Sequence, residues 1–239
     1  MVNRQYPLKQ DVTKGDLLSA YVVAPFDEGL DVLRQNDYKL ISSDEQGVLR
    51  VQEGYTADVS KFGNWVLQGP LYRKNERTLL LPAGLPLRHP VDAVHAHRNY
   101  KEYIPSDDDI QQAIAEGLEV LPKDVDKNGN IVVPFKSIGS DKYGMFFFGE
   151  EGTDTEKSKK AQAYGDWIVH QNNPYRIKDF VVLLDNQNYT NEVGTHANQF
   201  WLWWLENGSE LIGWNWELDY ANRVRGVRKN LTEKVEEKN

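Results

Sequence analysis

The chain has 239 residues, 40% hydrophobic and 27% charged, with a formal net charge of −8; this is enough for one large domain or two small ones, and it lies outside the disordered range. It has no cysteine, which excludes disulfides, zinc–thiolate sites, iron–sulfur clusters and cysteine nucleophiles. The acidic balance disfavours nucleic acid and anionic membranes as partners.

Taken in order, LLSAYVVAPF (17–26) is an apolar run ended by Pro25 and predicts a buried strand. SSDEQGVLRVQEG (42–54) predicts a helix capped by Ser43, with Gln46 three residues on and Gly54 at its end. Segments PLYRK and TLLLP, joined through Asn75-Glu76, predict a β-hairpin. In HPVDAVHAHRN (89–99), Pro90 marks a helix start and Asp92 supplies first-turn charge. PSDDDIQQAIAEGLEVLP (105–122) predicts the strongest helix: Ser106 caps it, Ile110, Ala113, Ile114, Leu118 and Leu121 line one face, and Pro122 stops it.

Beyond residue 130, NIVVPF and YGMFFFG read as strands and residues 153–172 as a helix. KDFVVLLDN (178–186) is a buried strand or a short helix. FWLWWL, LIGWNWELDY and NRVRGVR predict three closing strands. The expected fold is α+β, with about four helices and a Trp-rich antiparallel sheet at the C-terminus. Two lobes, 1–122 and 131–229, with a charged tail at 230–239, are the expected organisation; a single domain is the alternative.

Several stretches bear on chemistry. DVDKNGNIVVPF begins like a calcium loop: Asp124, Asp126 and Asn128 alternate and Gly129 follows. Phe135 stands where a bidentate glutamate belongs, and Asn128-Gly129 is a strong turn signal. His89, Asp92, His95 and His97 crowd into nine residues. On a strand, His95 and His97 would face the same way, as metal ligands should. On a helix they diverge by about 200° and cannot share an ion. The acids of SDDD (106–109) are explained by capping and the helix dipole. The pattern NRVRGVRK puts Arg223 and Arg225 on one strand face as a small basic strip. No Walker loop, G-x-G-x-x-G, G-x-S-x-G or S-x-x-K motif occurs.

The aromatic block near the end is the least ordinary feature. Trp201 and Trp203 share one strand face, Trp204 takes the other, and Trp214 and Trp216 share a face beyond a turn at 207–209. One aromatic row fills a core; a second, left wet, is costly unless it meets a ligand. Asn207, Asn215 and Asn222 offer hydrogen bonds to a polar ligand. The arrangement resembles the C-terminal strands of lectin-like folds, without a motif that specifies a family.

The sequence therefore predicts a non-catalytic binding module for a protein or polar small-molecule ligand, with Trp203, Trp214, Asn215, Trp216 and Tyr220 as binding residues. No cofactor, metal, nucleic acid or membrane partner is expected. The alternative is a metal-assisted hydrolase at His89, Asp92, His95 and His97. With no apolar signal segment in the first eighteen residues and no membrane-length apolar run, a cytoplasmic chain is expected. The N-x-S/T triplets at Asn188, Asn207 and Asn230 then read as chance matches.

Overall fold

A computed structural model describes residues 6–149, 152–203, 205–213 and 218–230. The first strands are β1 (Lys9–Val12) and β2 (Leu17–Ala24). Pro25 ends β2 and stands at the N-terminus of α1 (Phe26–Gln35), which buries Phe26, Leu30 and Leu33. After β3 (Lys39–Leu40) comes α2 (Ser43–Glu53). Its cap is Ser42 rather than Ser43: Glu45 N–H donates to Ser42 Oγ, and Ser42 N–H donates to Glu45 Oε2 at 3.0 Å. Both serines have an acid or amide three residues on. Ser43 and Gln46 instead bond Phe147 O and Val59 O across the interior. Gly54 closes α2 at φ 87°, as expected.

Next come α3 (Asp58–Lys61) and β4 (Asn64–Trp65). The hairpin forms as β5 (Gly69–Tyr72) and β6 (Leu79–Leu81), antiparallel with Leu71 opposite Leu79; Asn75 takes φ 59° in its loop. The proline-initiated helix is α4 (Pro90–Arg98) and the Ser106-capped helix is α5 (Asp107–Glu116). This last helix stops at Gly117, short of the expected Pro122. A Cβ there would lie 2.9 Å from Ala113 O and 3.0 Å from Leu79 Cβ, so glycine lets the chain turn into β7 (Leu118–Glu119), which pairs with β6. Leu118 thus belongs to a strand, and Ile114 is exposed.

The polar turn leads into β8 (Ile131–Pro134). YGMFFFG is not a strand but α6 (Lys142–Phe148). The Asp141 side chain accepts from Tyr143 N–H and Gly144 N–H to start it, and Tyr143, Phe147 and Phe148 turn inward. After α7 (Asp154–Ile168), begun by a Thr153–Glu156 capping box, the run at 178–186 resolves as strand β9 (Asp179–Leu183). Then follow α8 (Gln187–Val193), β10 (His196–Ala197), β11 (Trp201–Leu202), β12 (Ser209–Ile212) and β13 (Asn222–Lys229).

The described residues thus hold eight α-helices, not about four, and sheets that draw on the whole chain. The large sheet runs β1-β2-β13-β4-β11-β12-β9-β8, with β3 also on β13. It is mixed: β12 runs parallel to β9, and β13 parallel to β4. Strands from before residue 122 and after residue 131 alternate within it. The smaller sheet runs β10-β5-β6-β7.

The large sheet is packed on both faces. Trp201 and Ile212 join one core with Phe26, Leu33 and Trp65; Leu202 and Leu211 join the other with Phe135, Phe147, Tyr164 and Phe180. Strand alternation sends each neighbour to the opposite side. The closing Arg223 and Arg225 are not a surface strip. Arg225 is wholly buried and ion-pairs with Asp11 and Asp58, and its Nε donates to Asn64 Oδ1. Arg223 pairs with Asp58 and lies over the rings of Tyr21 and Phe62.

Candidate functional site

The segment after α4 builds one wall of a recess. Asn99 Nδ2 donates to His95 O, Tyr100 N–H to His97 O, and Lys101 N–H to Ala96 O. Tyr100 adopts φ 55°, a left-handed conformation rare outside glycine. The reversal throws its ring outward, 95% exposed, while Tyr103 is buried and Glu102 partly so. Burial pushes the Tyr103 hydroxyl up to about 12. Tyr103 O accepts from Ala197 N–H, tying the loop to β10.

From the other side comes α8. Asn186 caps it by accepting from Asn188 N–H, and Gly194 ends it at φ 102°. This helix presents Tyr189 and Val193. Together His97, Tyr100, Lys101, Glu102, Ile104, Tyr189 and Val193 line a half-open groove of about 500 Å³. Tyr189 Oη donates to Glu102 Oε1 at 2.5 Å. Burial, then the adjoining Glu102 carboxylate, raise the Tyr189 hydroxyl's pKa.

Two of the lining residues each hold one side-chain atom sealed from solvent and without a protein hydrogen-bond partner, Glu102 Oε2 and His97 Nε2. His97 is only 8% exposed. Burial lowers its pKa, while the nearby Glu102 and Asp219 carboxylates act in the opposite sense, so the imidazole is mainly neutral at neutral pH.

Behind the groove lies a buried row. His196 stacks on Tyr72 at 4.9 Å, and Tyr189 meets it edge-on at 5.9 Å. His196 Nε2 lies 3.0 Å from Asp185 Oδ2, and Nδ1 lies 2.9 Å from Gly194 O. Both neighbours are acceptors, so both ring nitrogens are satisfied as donors by the charged imidazolium. The pair ties the start of β10 to the residues on either side of α8.

The histidines flagged for metal do not converge. His89 lies 3.4 Å from Asp109, His95 is exposed on α4, His97 is buried under the groove, and Asp92 is exposed. Helical geometry separates His95 from His97. The calcium-like loop is a turn: Asp126 Oδ1 accepts from Asn128 N–H and Asn130 N–H, and Gly129 takes φ 85°. Asp124 is engaged by Lys142 and Tyr143. Among the described residues no group of three or more acidic or histidine side chains could hold a metal. The same turn borders a second hollow of about 650 Å³ with Arg77, Asn186 and Gln187.

Of the binding residues expected from sequence, Tyr220 is 59% exposed and Trp203 is half-buried. Trp203 O accepts from Arg50 Nη2 at 2.8 Å. Trp204, Trp214, Asn215 and Trp216 lie outside the described residues. Trp201 is core, edge-on to Trp65 at 5.2 Å. Tyr100, Glu102, Ile104, Tyr189 and Val193 were not anticipated. An aromatic directly after a helix-ending asparagine was the one local signal.

No helix among the described residues is long and apolar enough to cross a membrane. No protein-family profile and no curated protein matches the sequence. One solved structure is similar over 96% of this chain and 99% of its own, with a TM-score of 0.57 and 11% identity. It is described as showing how the C-type lectin fold accommodates massive sequence variation in Nanoarchaeota. At that identity the likeness is one of fold: the chain has an α+β architecture similar to the C-type lectin fold.

Proposed function

We propose that this protein is a non-catalytic recognition module that takes a protein or polar ligand at the groove between the 99–104 loop and α8. The observation that carries this reading is the recess of about 500 Å³ that the exposed side chains of Tyr100, Ile104, Tyr189 and Val193 line together with Glu102 and His97. Apolar walls with a few convergent polar atoms are the usual make-up of a ligand site.

The fold supports the same reading. A neighbour whose C-type lectin fold accommodates massive sequence variation is a precedent for a fixed core carrying interchangeable surface residues. Asp219 lies near enough to His97 to act on its charge, and Tyr220 beside it is exposed. Trp203, Trp214, Asn215, Trp216 and Tyr220, the binding residues expected from the sequence, are proposed as further ligand contacts.

Screening immobilised peptides and oligosaccharides by surface plasmon resonance tests the proposal. A ligand whose affinity falls about tenfold in Tyr100→Ala, roughly the worth of one good contact, supports it. Ligands that are all indifferent to Tyr100→Ala and Tyr189→Ala, in variants with unchanged circular dichroism, would count against the groove.

A further inference from the structure

We infer that the second hollow, between the 126–129 turn, residues 77–78 ahead of β6 and the junction of β9 with α8, is a separate site that takes the free C-terminal carboxylate of a peptide ending in an apolar residue. The charge this hollow has to offer is positive. Arg77 and Lys127 line it from different segments, and both are exposed, so their donors are open to solvent. Arg77 Nη1 donates to Glu119 Oε2 at 2.7 Å, and its Nε and Nη2 have no partner among the described residues. That unused edge is the one a carboxylate meets side-on, with two parallel N–H···O bonds. The Lys127 ammonium forms no ion pair among the described residues. Asn186 adds a neutral donor: its Oδ1 accepts from Asn188 N–H, while its Nδ2 is unengaged.

The carboxylates bordering the hollow are already answered where they stand. Asp126 Oδ1 accepts from two backbone N–H groups, and Asp185 Oδ2 faces the His196 imidazolium. Glu119 is shared between Arg77 and Arg73. Beside the donors stands an apolar wall of Leu121, Pro122 and Val125. A C-terminal residue carries its carboxylate and its side chain on one carbon, so it meets cations and apolar wall together; an aspartate or glutamate side chain brings the charge alone. At about 650 Å³ the hollow has room for such a residue. It shares no lining residue with the groove, so each site can fail without the other.

The probe is a short alanine peptide with a C-terminal leucine, titrated calorimetrically into the full chain. Beside it are titrated the same peptide amidated and an amidated peptide with glutamate in place of the leucine. The free acid is expected to bind, and both amidated peptides about tenfold more weakly, as for loss of a charge-assisted bond. Lys127→Gln removes no bond of the fold; it and Arg77→Gln are each expected to lower free-acid affinity by about fivefold or more. Lys159→Gln, at an exposed site on α7, and Tyr100→Ala, at the groove, are expected to leave it within about twofold. Equal affinity for the acid and its amide, no binding of either, a glutamate peptide that binds as well as the free acid, or Lys127→Gln no different from Lys159→Gln overturns the inference. Loss confined to Tyr100→Ala places the peptide in the groove, so that this site fails while the recognition reading stands.

Discussion

His196 and Asp185 form a buried ion pair, 3.0 Å from Nε2 to Oδ2, at the base of the helix that carries Tyr189. Burial alone would lower the histidine's pKa, yet the Asp185 carboxylate and the Gly194 carbonyl together raise it. For the other buried histidine, His97, burial outweighs the opposing pull of the Glu102 and Asp219 carboxylates and lowers the pKa.

These opposite shifts give a pH signature. His196, raised in the folded state, contributes stability that is complete below its unfolded value of about 6.5 and is lost as pH rises through the folded one. His97, lowered in the folded state, contributes stability that is complete above about 6.5 and is lost as pH falls through its folded value. Thermal midpoints measured against pH in His196→Gln are expected to lose the alkaline decline, and those in His97→Gln the part of the acid decline nearest neutrality. Parallel curves for wild type and both variants would refute the assignment.

Arg225 is wholly buried, and its loss leaves Asp11 with only the Ser19 hydroxyl and Asp58 with only Arg223. Breaking a buried pair by removing one partner costs about 3–5 kcal/mol, whereas an apolar side chain of similar volume with both acids neutralised is far better tolerated. Urea unfolding of Arg225→Ala is expected to show a loss in that range, and Arg225→Met combined with Asp11→Asn and Asp58→Asn a clearly smaller one.

Gly29 lets α1 lie against β13. A Cβ at that position would sit 2.4 Å from Val224 Cγ2. Gly29→Ala is expected to destabilise by about 1–3 kcal/mol through overpacking. Adding Val224→Ala is expected to recover part of that loss, so a denaturation double-mutant cycle with no coupling between the two sites would contradict the contact.

Gly129 separates the turn reading of residues 123–130 from the metal reading. Its φ of 85° makes Gly129→Ala costly by about 1 kcal/mol. Calcium at millimolar concentration is expected to leave the melting midpoint of wild type and variant unchanged; a calcium-dependent rise in wild type lost in Asp126→Asn would reverse the conclusion.

The elements legible in the sequence were those with local chemistry at their ends. Pro90, Ser106, Asn128-Gly129 and the loop after Tyr72 each fix backbone geometry within a few residues, and each fell where expected. Helix α6 was misread because a run of Met and three Phe carries no visible period, and the Asp141 cap outweighs its β propensity. Helix α1 went unread because Gly29 weakens the helical pattern, for a reason that lies across the sheet at Val224. The groove was the least legible feature. Glu102 and Tyr189 are 87 residues apart and meet only through the packing of α8 beside the 99–104 loop. His97 drew attention for its neighbours in sequence, whereas its surroundings in space decide its role.

The place of β13 has a consequence for biosynthesis. Its eight residues register along the whole of β2 and also touch β3 and β4, yet they are the last strand of the described chain to leave the ribosome. Until Lys229 clears the exit tunnel, β2 and β4 have no neighbour between them, and open strand edges invite pairing with other nascent chains. The central sheet is thus completed only after every other described strand has been made, so its closure is a late, long-range step that its earlier strands must await.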